Sequence, residues 1–125
     1  MKTFKIMILI LILFVSVMLF SSYAGTEKYG QEISNRKITE VKDILADYKT
    51  FEGKLVTIEG NIDNECPAGC WFYIKVGSGN LTIYVDTGKS GFSIPQKTGR
   101  KVLVEGNVVV KKTGPMIQAR GVEIK

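Results

Sequence analysis

The hydrophobic pattern changes period twice along the chain. Lys2 and Lys5 precede an apolar run from Ile6 to Phe20, which ends in the small and polar stretch Ser21, Ser22, Tyr23, Ala24, Gly25. A positive start, a short apolar run and a small-residue junction are the layout of a secretory signal, with cleavage expected after Ala24. The run counts 15 residues, short of the roughly 20 that a bilayer-spanning helix needs. The alternative is an N-terminal membrane anchor formed by the uncleaved segment. Residues 25–37 are polar and aperiodic and read as a flexible lead-in. Helical spacing then begins. Val41, Ile44, Leu45 and Tyr48 fall at i, i+3, i+4 and i+7, which predicts a short amphipathic helix, N-capped by Thr39 and ending before Gly53.

From Leu55 the period becomes two. Val56, Ile58 and Ile62 alternate with Thr57, Glu59 and Asn61; Phe72, Ile74 and Val76 with Trp71, Tyr73 and Lys75; Leu81, Ile83 and Val85 with Thr82, Tyr84 and Asp86. These are three half-buried strands. Gly77, Ser78, Gly79 and Asn80 join the second to the third as a hairpin. A fourth strand runs from about Lys101 to Lys111. After a turn at Thr113, Gly114 and Pro115, a fifth carries Ile117, Ala119, Val122 and Ile124. The phase slip between Ala119 and Val122 predicts a bulge at Gly121.

Residues 53–62, GKLVTIEGNI, align without gaps on residues 99–108, GRKVLVEGNV. Ten residues are too few for a repeat protein. Two strands therefore face the same problem, and Gly60 and Gly106 mark the points where each must bend, as small barrels require. Five strands ordered as a meander of three, a loop and a hairpin predict an all-β fold, a small five-stranded OB-fold-like Greek-key barrel with one short N-terminal helix. The usual helix between strands three and four is replaced by residues 87–100, a glycine- and proline-bearing stretch unsuited to helix. The domain is expected to span 38–125.

The run Cys66-Pro67-Ala68-Gly69-Cys70-Trp71, the segment Gly91-Phe92-Ser93-Ile94-Pro95 and the block from Gly99 to Gly106 resemble a family of small exported bacterial and archaeal OB-fold domains of unassigned function. The resemblance covers roughly residues 38–124 and implies a fold rather than an activity. Residues 84–108 are also similar to the periplasmic haem chaperone of cytochrome c maturation. That family holds haem through a C-terminal histidine, whereas this chain ends Ala119-Arg120-Gly121-Val122-Glu123-Ile124-Lys125.

Composition narrows the chemistry. Removing residues 1–24 leaves 101, one domain's worth of chain with a core of its own. Without Lys2 and Lys5 there remain 15 basic and 12 acidic side chains, a balance too mild for a nucleic-acid footprint. Export argues the same way. The Lys111-Lys112 doublet reads as solvated. There is no histidine, which removes the commonest general base and metal ligand together with the Ser-His and Cys-His arrangements of nucleophilic catalysis. The chain is expected not to be an enzyme.

Two candidate sites remain. Cys66 and Cys70 lie in the loop between the first two strands and, in an oxidising compartment, are expected to form a disulfide that staples five residues. The alternative is a copper-handling pair with Met116 as a further soft ligand, copper then being the cofactor where otherwise none is expected. Thiol-disulfide exchange ranks third, because the spacing is not C-x-x-C. If Phe72, Ile74, Leu81 and Ile83 face inward, Trp71, Tyr73, Lys75, Thr82 and Tyr84 share the opposite face, where OB-folds bind ligands. Glu59 and Glu105 read as solvated strand residues. The sequence thus predicts an exported, secreted or periplasmic binding module whose ligand or protein partner it does not identify.

Overall fold

The structure is a computed structural model that describes residues 2–20, 25–77 and 79–125. Lys2–Phe20 forms a helix, α1, whose apolar side chains from Phe4 to Val15 are exposed. No helix among the described residues is long and apolar enough to cross a membrane. The cleavage junction expected after Ala24 lies outside the described residues.

The alternating segments form strands where their pattern predicts: β2 at Leu55–Glu65, β3 at Trp71–Val76, β4 at Leu81–Asp86, β5 at Lys101–Lys111 and β6 at Gly114–Ile124. A further strand, β1 at Glu27–Gly30, precedes them. β2 runs antiparallel to both β3 and β5, β3 to β4, and β5 to β6. The circuit closes by a parallel junction of β4 with β6, where Tyr84 lies beside Met116 and Asp86 beside Gln118. This is the OB-like barrel expected from the strand order. Its interior holds Ile58, Ile62, Phe72, Ile74, Ile83, Val85, Val104, Ile117 and Ile124, each 2% exposed or less. Val41 and Ile44, equally buried, join the same core from the helical segment, as its apolar face requires.

The internal similarity has a geometric meaning. Ile58 pairs with Val104, and these are also equivalent positions of the two similar segments. The segments therefore pair with each other about a local two-fold axis, with Gly60 opposite Val102 and Gly106 opposite Val56. Gly60 stands where β2 passes from β5 to β3 as partner. A Cβ there would come within 2.5 Å of Ile74 Cγ2 and 2.6 Å of the Lys75 carbonyl oxygen. At Gly106 a Cβ would strike the Gln118 carbonyl oxygen and Ile117 Cγ2. Neither glycine has a positive φ, so what they supply is room for a neighbouring strand rather than an unusual dihedral. Beside Gly106, Glu105 pairs with Gly121 and Gly106 with Ala119. Arg120 is thus the extra residue of the bulge, one position before the glycine expected to carry it.

The lead-in departs most from expectation. Within residues 25–37 a strand, β1, and several contacts to the barrel form, which the aperiodic sequence does not announce. β1 pairs antiparallel with β6, Glu27 to Ile124 and Tyr29 to Val122, and Ile33 is buried. Beyond it, the Ser34 and Asn35 amides donate to Glu105 Oε2 at 3.0 and 2.9 Å, and the Ser34 hydroxyl donates to the same carboxylate. Thr57 Oγ1 donates to the Asn35 carbonyl. Arg36 grips Glu123 with both guanidinium nitrogens, at 2.9 and 2.6 Å. Thr57 and Glu105, expected in solvent, are therefore buried at 1% and 0% exposure. A segment tied down by polar bonds and a strand edge needs no apolar periodicity, so none is visible in its sequence.

The helix also differs. It is two short pieces, α2 at Val41–Ala46 and α3 at Tyr48–Phe51. Asp47 separates them, its carboxylate accepting the Thr50 hydroxyl at 2.7 Å. Glu40 rather than Thr39 occupies the N-cap, with no side-chain cap bond. The Thr39 amide instead donates to the Thr57 carbonyl, tying the helix start to the sheet. Between β4 and β5 only a 3-10 turn forms, at Gly88–Ser90.

The packing at Gly106 predicts that Gly106→Val destabilises the domain by roughly 1 to 3 kcal/mol without abolishing strand content. Urea unfolding of the purified protein measures this, and an unchanged midpoint contradicts the close approach. The latch at Glu123 predicts a pH dependence. The Arg36 guanidinium holds this carboxyl below its usual range, against the opposing effect of burial. Its contribution to stability is present above the ordinary carboxylate value of about 4.3 and is lost as pH falls through the lowered folded value. Arg36→Ala is expected to melt earlier than wild type at neutral pH, with the difference shrinking as the solution is acidified. A difference that is constant into acid excludes the latch as its source.

Candidate functional site

Phe72, Ile74, Ile83 and Val85 are buried inside the barrel at 2% exposure or less. Period-two geometry then turns the intervening residues of β3 and β4 outward. Tyr73 pairs with Tyr84, Trp71 with Asp86 and Lys75 with Thr82. All five predicted residues, Trp71, Tyr73, Lys75, Thr82 and Tyr84, share this outer face and are half-buried. The three rings form one cluster. Trp71 stacks on Tyr84 with centroids 5.9 Å apart, Trp71 meets Tyr73 edge-on at 5.9 Å, and Tyr73 meets Tyr84 edge-on at 5.3 Å. Such pairs fix ring orientation, each contributing about 0.5 to 1.5 kcal/mol beyond area burial.

A cleft of about 480 Å³ opens beside the cluster, lined by Tyr73, Thr82, Tyr84, Asp86, Lys111 and Met116 among others. Burial pushes the Tyr84 hydroxyl above its ordinary value, with the nearby Asp86 charge acting the same way. Lys111 is pulled below its ordinary value, chiefly by the neighbouring Lys89 side chain. Lys111 and Asp86 thus share the cleft wall. Lys111 and Lys112 are both exposed, in keeping with a solvated doublet. The pairing of residues 89 and 111 comes from the end of β5 meeting the turn after β4, which no local pattern announces.

The cysteine loop is held from several directions. The Cys66 amide donates to the Trp71 carbonyl at 3.0 Å and the Gly69 amide to the Cys66 carbonyl at 2.8 Å. The Gly69 carbonyl accepts the Ile94 amide at 3.1 Å and the buried Thr87 hydroxyl at 2.8 Å. The Thr87 and Gly88 amides both donate to the Cys70 carbonyl at 3.0 Å. Gly69 has φ +75°, and a Cβ there would run into the Ile94 backbone, so glycine is required twice over.

These constraints bring the two sulfurs together as free, half-buried thiols. The Cys70 thiol donates to Cys66 Sγ at 3.0 Å, beyond the roughly 2.05 Å of a disulfide bond. Cys66 is lowered below its ordinary pKa, first by the Cys70 thiol and then by the amides of Ala68 and Cys70. Cys70 is raised, by the bond it donates to Cys66 and by burial. Met116 is not brought to them. It lies beside Tyr84 on one side of β4, whereas Cys70 leads into β3 on the other and three residues out of register, so two strand spacings alone put about 10 Å between them and the register adds to that. Among the described residues, no group of three or more His, Cys, Asp or Glu side chains is placed to hold a metal ion.

Asp63, Asn64 and Glu65 precede Cys66 and read in sequence as solvated, yet the last of them is buried. Glu65, directly before Cys66, is 9% exposed. Its Oε1 accepts the Lys97 amide and the Thr98 hydroxyl, each at 2.7 Å, and its Oε2 is buried with no partner. It pins residues 97–98 to the base of the cysteine loop.

No protein-family model matches the chain, and no curated protein matches it in sequence. Among solved structures it is similar to the hypothetical protein YgiW from E. coli, with 22% identity over 78% of this chain and 100% of that chain, at a TM-score of 0.52. At that identity the likeness is one of fold.

Proposed function

We propose that the protein is a non-enzymatic exported OB-fold module that holds a flat or extended ligand against the outer face of β3 and β4. The observation that carries this reading is the cluster of Trp71, Tyr73 and Tyr84 set beside a cleft of about 480 Å³. Pre-packed rings offer stacking surface with little ordering cost, and each stacked ring system contributes roughly 1 to 3 kcal/mol. Met116, 7% exposed within the cleft, adds an adaptable apolar wall. Lys111 on the cleft wall, with Lys89 near it, favours a ligand that brings a negative group to that end. The ligand class is therefore an aromatic or ring-bearing molecule with an anionic substituent. Export is supported by the sequence of residues 1–24 and by the exposed apolar side chains of α1, which the barrel does not cover.

Trp71 is the only tryptophan, so its emission reports directly on this face. Titration with an aryl phosphate, an acidic disaccharide and a short aromatic peptide is expected to change that emission saturably for at least one of them. Tyr84→Ala is expected to weaken the binding by about tenfold, equivalent to 1.4 kcal/mol, and Lys111→Ala to weaken it in a salt-sensitive way. Binding that is unaffected by Tyr84→Ala, or a silent Trp71 across the three probes, contradicts the assignment of this face.

A further inference from the structure

The cysteine loop contains more organisation than a staple requires. Its backbone is held by hydrogen bonds to Trp71, Thr87, Gly88 and Ile94 that do not involve sulfur, so the loop is fully formed with both thiols reduced. The sulfurs lie 3.0 Å apart, about 1 Å more than a bond length. Bridging them needs only a small side-chain movement. Both residues are half-buried rather than sealed, which leaves sulfur open to a reagent. A bridge across only five residues also restricts the unfolded chain little, so chain entropy favours the oxidised form weakly.

We propose that Cys66 and Cys70 are a reversible dithiol-disulfide couple that exchanges with a disulfide-bearing substrate, Cys66 attacking and Cys70 resolving. Cys66 is the attacker because its sulfur accepts the Cys70 thiol and lies at a turn of backbone amides. Such a site favours the thiolate, which is the nucleophile. In the first step Cys66 gives its proton to solvent, and the resulting thiolate attacks one sulfur of R–S–S–R. That bond breaks, a mixed disulfide Cys66–S–S–R forms, and RS⁻ leaves and takes a proton from solvent. In the second, Cys70 gives its proton to solvent and its sulfur attacks Cys66 Sγ, expelling the second RS⁻, which is also protonated. The pair loses two electrons and two protons, and R–S–S–R becomes two RSH. The reverse sequence oxidises a dithiol substrate. This inference is independent of the ligand reading, although Trp71 follows Cys70 directly and reports on both.

The test uses the full chain equilibrated in glutathione buffers from fully reduced to fully oxidised, quenched in acid and alkylated for intact mass. The fraction with two free thiols is expected to fall smoothly across the series. On brief exposure of wild type to oxidised glutathione, peptide mapping is expected to place the first adduct on Cys66. Cys70→Ser is expected to accumulate a one-glutathione adduct at least about tenfold faster than Cys66→Ser. A bridge that persists in the most reducing buffer makes the pair a permanent staple and overturns the proposal. So does a pair that never oxidises, equal reactivity of the two cysteines, or thiols silenced by stoichiometric copper in protein as isolated. The mapping on wild type decides the order of attack even if a serine variant fails to fold.

Discussion

A small barrel closes only when its long strands bend enough to serve two neighbours each, and here the bends depend on side chains that are missing. At Gly60 the β3 backbone and Ile74 occupy the place of a Cβ, and at Gly106 β6 does the same. The local two-fold about Ile58 and Val104 makes these one constraint met twice. If either strand straightened, β3 and β4 would lose their place against β6. The cleft is lined from both β4 and β6 and exists only because that junction closes. Cys66 and Cys70 sit just past the bend, in the loop that links the bent strand to the ring-bearing hairpin.

The two-fold is not carried through to the surface. Glu59 and Glu105 are equivalent in the paired segments, yet Glu59 is exposed and Glu105 fully buried. The difference is the segment from Ser34 to Arg36, which covers one half of the sheet and leaves the other open. A carboxylate under that cover must be fully hydrogen-bonded or its burial would be prohibitive, and the Ser34 and Asn35 amides meet that requirement.

These residues explain what was legible beforehand. Alternation along β2 to β6 reveals the barrel, because every strand turns one face into the core, and the same alternation places Trp71, Tyr73, Lys75, Thr82 and Tyr84 together. The glycine bends are visible because the same bend is written twice. The covering segment was illegible: its grip on the barrel comes from amides and one guanidinium, groups that leave no hydrophobic period. Lys111 comes to the wall that holds Asp86 from the far end of β5, a strand distant in sequence. Met116 was grouped with the cysteines on chemistry alone, and strand order separates them. The state of the cysteine loop depends on Gly69, Thr87 and Ile94, which lie as much as 25 positions apart.

The last strand has the most neighbours. β6 hydrogen-bonds to β1, β4 and β5, and its final residue, Ile124, pairs with Glu27 at the start of the domain and with Val102. Until residue 124 has emerged, the sheet has an open side and β1 has no strand to join. Folding of this barrel therefore waits for β6. A chain held extended until residue 124 is free then gains its core and the pairing of β1 in the same step.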